Sequence, residues 1–320
     1  MGAFHPGEVA VQARAGAAVH DWGTAHVPAE IPPVAADFLR AQRMLALGTV
    51  DDDGAVWADV ITGPAGFVDA PDQRTVTVTG RPAFTDDRFT ATADRAAGLI
   101  AIEPWTRKRM RANGRIRRDG NRLVMHTDQV YSNCPKYIQT RTITTSPDGP
   151  DPAVEPHLRA VTGGLTDRHR ELIGRADTFF IATHAPGLGV DVSHRGGNPG
   201  FVTPTGTTRV TWPDYVGNSM YMTLGNLELD PHAGLLFIDW QTGTTLHLTG
   251  RAVTDWDPER AAAVPGAQRM VDFEVDRAAE VDGGMPLRWH FGEYHRFNPP
   301  VPTSGRTGPD SVAAALESSR

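Results

Sequence analysis

Four spaced segments occur twice in this chain, and that repetition limits what it can fold into more than any other feature. Gly48-Thr49 and Gly66-Phe67-Val68 reappear as Ala182-Thr183 and Gly200-Phe201-Val202, each displaced by 134 residues. Gly98-Leu99-Ile100 and Gly114-Arg115 reappear as Gly234-Leu235-Leu236 and Gly250-Arg251, each displaced by 136. The frame moves by only two residues, so the copies share a length as well as a pattern. The chain has 320 residues, beyond the usual single domain of about 100 to 200, and a duplicated domain accounts for the excess.

Between the matched positions the residues read as short strands. Leu45 to Val50 is a small-apolar run ending in the turn Asp51-Asp52-Asp53-Gly54, and Val56 to Thr62 follows at once. Thr75-Val76-Thr77-Val78-Thr79 alternates strictly, the signature of a half-buried strand. Leu99 to Glu103, Arg115 to Arg118 and Arg122 to His126 continue the series. A helix capped by Thr166 and running to Arg175 introduces a second series, which begins at Thr178. The expected fold is mainly β: two tandem six-stranded β-barrels packed as a pseudo-dimer within one chain, with a few short helices. Residues 1–37 read as an arm with a short helix near Glu8 to Gly16, and 38–143 as the first barrel. Residues 144–165 read as a proline-rich linker, 166–300 as the second barrel and 301–320 as a tail.

A net charge of −7 argues against a nucleic-acid partner, because binding a phosphate backbone needs a basic face. One local exception is Arg107-Lys108-Arg109-Met110-Arg111, continued by Arg115, Arg117 and Arg118. It reads either as a local anion site or RNA contact, or as the solvated outward positions of a hairpin whose other face is buried, and the last is the expectation. No run approaches the roughly 18 apolar residues of a membrane span, and Met1 to Glu8 lacks the features of a secretory signal, so a cytoplasmic location is expected. Cys134 is the single cysteine and cannot form an internal disulfide. The 12 histidines show no paired spacing such as His-Glu-x-x-His, so no metal is expected.

Three segments carry the chemistry. In Asp191-Val192-Ser193-His194-Arg195-Gly196-Gly197 to Gly200-Phe201-Val202, a polar and glycine-rich interruption of a strand pair, hydroxyl, imidazole and guanidinium donors fall within three positions. Such a group suits a phosphate. Trp212 to Asn226 mixes aromatic rings with small hydrogen-bonding groups, which suits a planar heterocycle with a polar tail. Tyr131 to Arg141 gathers two aromatics, Lys136 and two amides around Cys134.

Together these segments resemble the pyridoxamine 5′-phosphate oxidase-like family of FMN-binding split barrels, in particular its large two-barrel members, over most of residues 4–300. The resemblance implies that Ser193, His194, Arg195, Gly196, Gly197, Trp212, Tyr215, Gly217, Asn218, Thr223, Leu224 and Asn226 bind the cofactor. It also implies that Asn133, Cys134 and Lys136 close the site from the other barrel, giving one composite site per chain. The reciprocal loop, Val60-Ile61-Thr62-Gly63-Pro64-Ala65, has no cation and is expected to be dead. Single-barrel relatives carry arginines where Met220 and Gly225 stand here. His194, Lys136 and Tyr137 are the candidates for substrate contact or proton delivery.

The function this resemblance implies is that of an FMN-dependent oxidoreductase acting on a small organic substrate or acceptor, with NAD(P)H as a candidate electron donor. A deazaflavin-dependent reductase and a non-catalytic flavin- or haem-binding protein remain open, as does the choice between a monomer and a homodimer.

Overall fold

The computed structural model describes residues 4–17, 27–86, 94–132, 135–144 and 155–301. The first series of strands is β1 (Met44–Val50), β2 (Val56–Thr62), β3 (Val68–Asp72), β4 (Thr75–Thr79), β5 (Arg95–Glu103), β6 (Lys108–Asp119) and β7 (Arg122–Ser132). They form one sheet in the order β2-β1-β5-β6-β7-β4-β3. After β8 (Arg141–Ile143) and β9 (His157–Thr162), the second series is β10 (Thr178–Ala185), β11 (Gly189–Gly196), β12 (Thr203–Thr205), β13 (Arg209–Tyr215), β14 (His232–Ile238), β15 (Thr245–Asp255) and β16 (Ala267–Asp282). Its order, β11-β10-β14-β15-β16-β13-β12, repeats the first position for position, which is the duplication in three dimensions.

Each copy runs to seven strands where six were expected, the short β3 and β12 standing at the sheet edges. Residues 157–162, expected as linker, are β9 and pair with β16. The strand β17 (Trp289–Phe291) returns from the second copy to pair with β8 at the end of the first. The helices are α1 (Pro6–Arg14), α2 (Pro33–Arg40), α3 (Asp167–Arg175), α4 (Met222–Leu229) and α5 (Pro258–Ala262). Thr166 caps α3 as expected, its hydroxyl accepting from the His169 N–H while the His169 ring accepts from the Thr166 N–H. Among the described residues no helix is long and apolar enough to cross a membrane.

Period-2 alternation divides each central strand between two cores. Leu45 and Leu47 of β1 enter the first copy's own core, while Met44 and Ala46 enter a layer shared with the second copy. In β10, Phe179 and Ile181 face inward and Phe180 and Ala182 face that shared layer. Two of the repeated glycines, Gly98 and Gly234, lie where backbones of the two copies touch. A Cβ on Gly98 would stand 2.9 Å from the Val192 nitrogen, and one on Gly234 2.6 Å from the Val56 oxygen and the Trp57 Cα. Backbone cannot swing aside as a flexible side chain can, so these positions exclude any larger residue. Gly98→Val is expected to cost about 3 kcal/mol by overpacking. A urea midpoint equal to that of the parent chain would refute this close approach.

Candidate functional site

The polar segment at Asp191 to Gly196 is a regular strand rather than an interruption: β11 pairs with β10 without a break, Phe180 opposite His194 and Ile181 opposite Ser193. Alternation puts Asp191, Ser193 and Arg195 on one face. Beneath that face the first copy contributes a buried network. Arg111 of β6 donates from Nε to the Val192 carbonyl (2.8 Å), from Nη2 to Asp191 (2.5 Å) and also to the Ser193 hydroxyl. The Tyr131 hydroxyl donates to the same Asp191 carboxylate (2.8 Å), and Thr223 donates to Ser193 Oγ (2.9 Å). Arg111 and Asp191 are 6% and 2% exposed, so the pair is removed from water and holds Ser193 in place. Burial and the neighbouring Asp191 charge drive the Tyr131 phenol well above its ordinary value, against the opposing pull of Arg111, and keep it a neutral donor.

Above this network lies a cleft of about 110 Å³ that opens to solvent. Its walls come from both copies: Arg109, Arg111, Lys136 and Tyr137 from the first, and Ser193, His194, Arg195, Gly196, Tyr215, Gly217, Asn218 and the first turn of α4, Met222 to Leu224, from the second. No side chain caps α4, and Ser219 and Tyr221 before it adopt left-handed φ of 60° and 57°. An uncapped helix start carries partial positive charge. Asp214 is the one acid among the lining residues. Burial lowers the Arg195 pKa and raises that of Asp214, each charge partly restoring the other. His194 accepts at Nδ1 from Arg109 (3.3 Å). Burial, then Arg109, Arg195 and Arg141, hold its pKa well below the ordinary histidine value, so the ring is neutral at pH 7.

The arm closes the far side of α4. A Cβ on Gly7 would overlap the Gly225 carbonyl, and a Cβ on Gly225 would stand 2.6 Å from the Glu8 side chain. The space over Gly225 is therefore filled by α1. His5 donates from Nε2 to Asn226 Oδ1 (2.9 Å), and Asn226 donates to Thr183 (3.0 Å). Burial pushes the Glu8 carboxyl up to about 7, despite a hydrogen bond from the His5 N–H. The unfolded carboxyl ionises near its ordinary value of 4.5 and the folded one only near 7, so stability falls as pH rises through that window. Glu8→Gln is expected to stabilise the chain by up to about 3 kcal/mol at pH 8 and negligibly at pH 4. Thermal melts at the two pH values check this, and equal gains at both would overturn it.

The reciprocal place is built differently. His247 is the repeat equivalent of Arg111, and its Nδ1 donates to the Ala58 carbonyl (2.9 Å) as Arg111 donates to Val192. Asp59 stands where Ser193 does and accepts from the backbone of Phe84 (3.0 Å) and Thr85 (2.7 Å). The Phe84 ring packs against Trp57 at 5.0 Å and His247 at 5.1 Å, so side chains fill the region.

The structure brings together most of the expected residues but not all. Trp212 is 1% exposed and packs in the second core against Phe179, because alternation in β13 turns it inward. Gly197 sits behind the cleft, its carbonyl accepting from Gln139 (3.2 Å), and Asn226 serves the arm contact. Asn133 and Cys134 lie outside the described residues. The solvated-hairpin reading of the basic run holds for Lys108, Arg115 and Arg117, which are exposed, and fails for Arg109 and Arg111. Period-2 alternation within β6 puts these two on one face of the strand.

Residues 165–283 match a family described as pyridoxamine 5′-phosphate oxidase. No curated protein shows a match to the chain. Among solved structures, HupZ of Group A Streptococcus is similar at 13% identity, over 38% of this chain and 97% of its own, with a TM-score of 0.31. An FAD-binding protein of Mesorhizobium loti is similar at 10% identity, over 38% of this chain and 97% of its own, with a TM-score of 0.28. A Clostridium acetobutylicum protein related to general stress protein 26 of B. subtilis is similar at 11% identity, over 39% and 92%, with a TM-score of 0.26.

Proposed function

We propose, from the premise that residues 165–283 belong to the pyridoxamine 5′-phosphate oxidase-like split-barrel family, that the interdomain cleft binds FMN and that the chain is an FMN-dependent oxidoreductase for a small organic substrate or acceptor. The observation that carries this reading is the convergence on one cleft of Arg109 and Lys136 from the first copy with Ser193, Arg195 and the start of α4 from the second. The residues fit a ligand with an anionic end and a flat ring. Arg195, the Ser193 hydroxyl and the α4 N–H groups suit a phosphate. Tyr137 and Tyr215, with centroids 5.3 Å apart, suit a ring edge, and Tyr137 is anchored by donating to the Val216 carbonyl (3.0 Å).

A bound flavin supplies the two-electron chemistry, and the protein supplies orientation and charge. Arg111 and Asp191 fix Ser193, and the neutral His194 offers a donor at Nε2 rather than an acidic imidazolium. Lys136 provides a cation from the opposite wall. The test is the absorption spectrum of the purified chain with the mass of any bound cofactor, followed by turnover of reduced nicotinamide with quinone or nitro acceptors. Flavin absorbance, FMN mass and turnover are expected. A chain that stays colourless after incubation with FMN would falsify the cofactor reading, and bound FMN without turnover would reduce the protein to a binder.

A further inference from the structure

A line of rings leads out of the cleft to the surface. Tyr215 on the cleft wall lies 5.3 Å from Tyr137, Tyr137 lies 6.2 Å from His295, and His295 lies 5.4 Å from Phe297. Phe297 is 50% exposed although each ring before it is sheltered. Cations lie over the ring: the Arg296 guanidinium is 4.7 Å and the Lys136 ammonium 5.9 Å from the Phe297 ring centre. Arg107 stands behind them, donating to the Ile138 carbonyl (3.0 Å) and to Glu293 (2.7 Å). Arg107 and Glu293 form an ion pair, and Arg296 and Lys136 beside them leave the patch net positive.

The platform is held rigidly. The Gln139 side-chain oxygen accepts from the His295 N–H (2.8 Å) and from Asn298 (3.0 Å), while its amide donates to the carbonyls of Tyr137 (3.0 Å) and Gly197 (3.2 Å). Asn298 also donates to Asn198 (3.1 Å), and Phe297 N–H donates to His295 Nδ1 (3.3 Å). A fixed, exposed ring among cations is preorganised for a ligand that is both flat and anionic.

We propose that Phe297, Arg296 and Lys136 form a second site at the cleft mouth, which binds a purine nucleotide carrying a diphosphate. The base takes the place of the Arg296 guanidinium over the Phe297 ring and stacks there, as bases stack on exposed aromatics. The phosphates meet Arg296 and Lys136, the arginine fork matching phosphate oxygens in pairs. The ring line then connects this nucleotide to the cleft. Use of the site by an electron donor rests on the flavin reading; its existence does not.

The experiment is calorimetric titration of the full chain with ADP, with NADPH and with FMN. ADP is expected to bind, and Phe297→Ala and Arg296→Gln, both at exposed positions, are each expected to weaken it at least tenfold while leaving FMN affinity unchanged. NADPH binding more than tenfold tighter than ADP identifies a dinucleotide as the source of the nucleotide, and equal affinities identify the free nucleotide. No ADP binding at millimolar concentration, or the same ADP affinity in both variants, overturns the site. A chain that binds ADP in this variant-sensitive way but not FMN retains the site and discards the flavin reading.

Discussion

Arg111→Ala is expected to lower the stability of the chain by about 3 to 5 kcal/mol, the range for breaking one side of a buried ion pair. The arginine belongs to the first copy and Asp191 to the second, and both are almost wholly removed from water. Without the guanidinium, the carboxylate keeps three neutral donors, the Tyr131 hydroxyl, the Asn113 amide (3.3 Å) and the Ser193 hydroxyl (3.3 Å), and no compensating charge. Urea unfolding by linear extrapolation measures the loss. Replacing both partners, Arg111→Met with Asp191→Leu, is expected to recover most of it, because two matched apolar groups leave no charge buried alone. A loss below about 1 kcal/mol would mean that water reaches the pair, the range of exposed ion pairs.

Arg195→Ala is expected to weaken FMN binding tenfold or more with little effect on folding. The guanidinium lies at the cleft wall, lines the proposed phosphate end and, among the described residues, hydrogen-bonds to the His194 carbonyl (3.1 Å). A charge-assisted contact contributes about 1.5 to 3 kcal/mol, which is roughly ten- to a hundredfold in affinity. Quenching of FMN fluorescence on binding gives the dissociation constants. Unchanged affinity would remove Arg195 from the phosphate end and leave Arg109 and Lys136 as the anion-binding cations. The two substitutions separate scaffold from contact: the first lowers the unfolding free energy, the second only the affinity.

Much of the architecture was legible because it depends on local geometry. Gly98, Gly114, Gly234 and Gly250 repeat since a Cβ at each would strike backbone, at a domain contact for the first and third and at a strand bulge for the second and fourth. The Thr-Val alternation of β4 and the Thr166 cap are likewise read from neighbours a few residues away. Trp212 misled because an aromatic residue in a polar segment carries no mark of the face its strand will bury. β9 was missed since His157 to Thr162 is mostly exposed and joins its sheet through backbone pairing with β16 and ion pairs of Arg159, not through a buried apolar face.

The candidate site was legible on one side only. Ser193, His194 and Arg195 sit together in sequence and line one wall, while Arg109 and Arg111 were read as surface cations. Nothing within several residues of Arg111 separates a solvated arginine from a buried one. What distinguishes them is the second copy, which removes Arg111 from water and places Asp191 against it, and those two residues lie 80 positions apart. The sequence by itself determined the duplication, the strands and the inequality of the copies, because glycine tolerance and side-chain alternation are properties of short stretches. Only the tertiary structure decided which cations became buried partners, which lined the cleft and which stayed in solvent, because desolvation is set by whatever surface the fold brings against them.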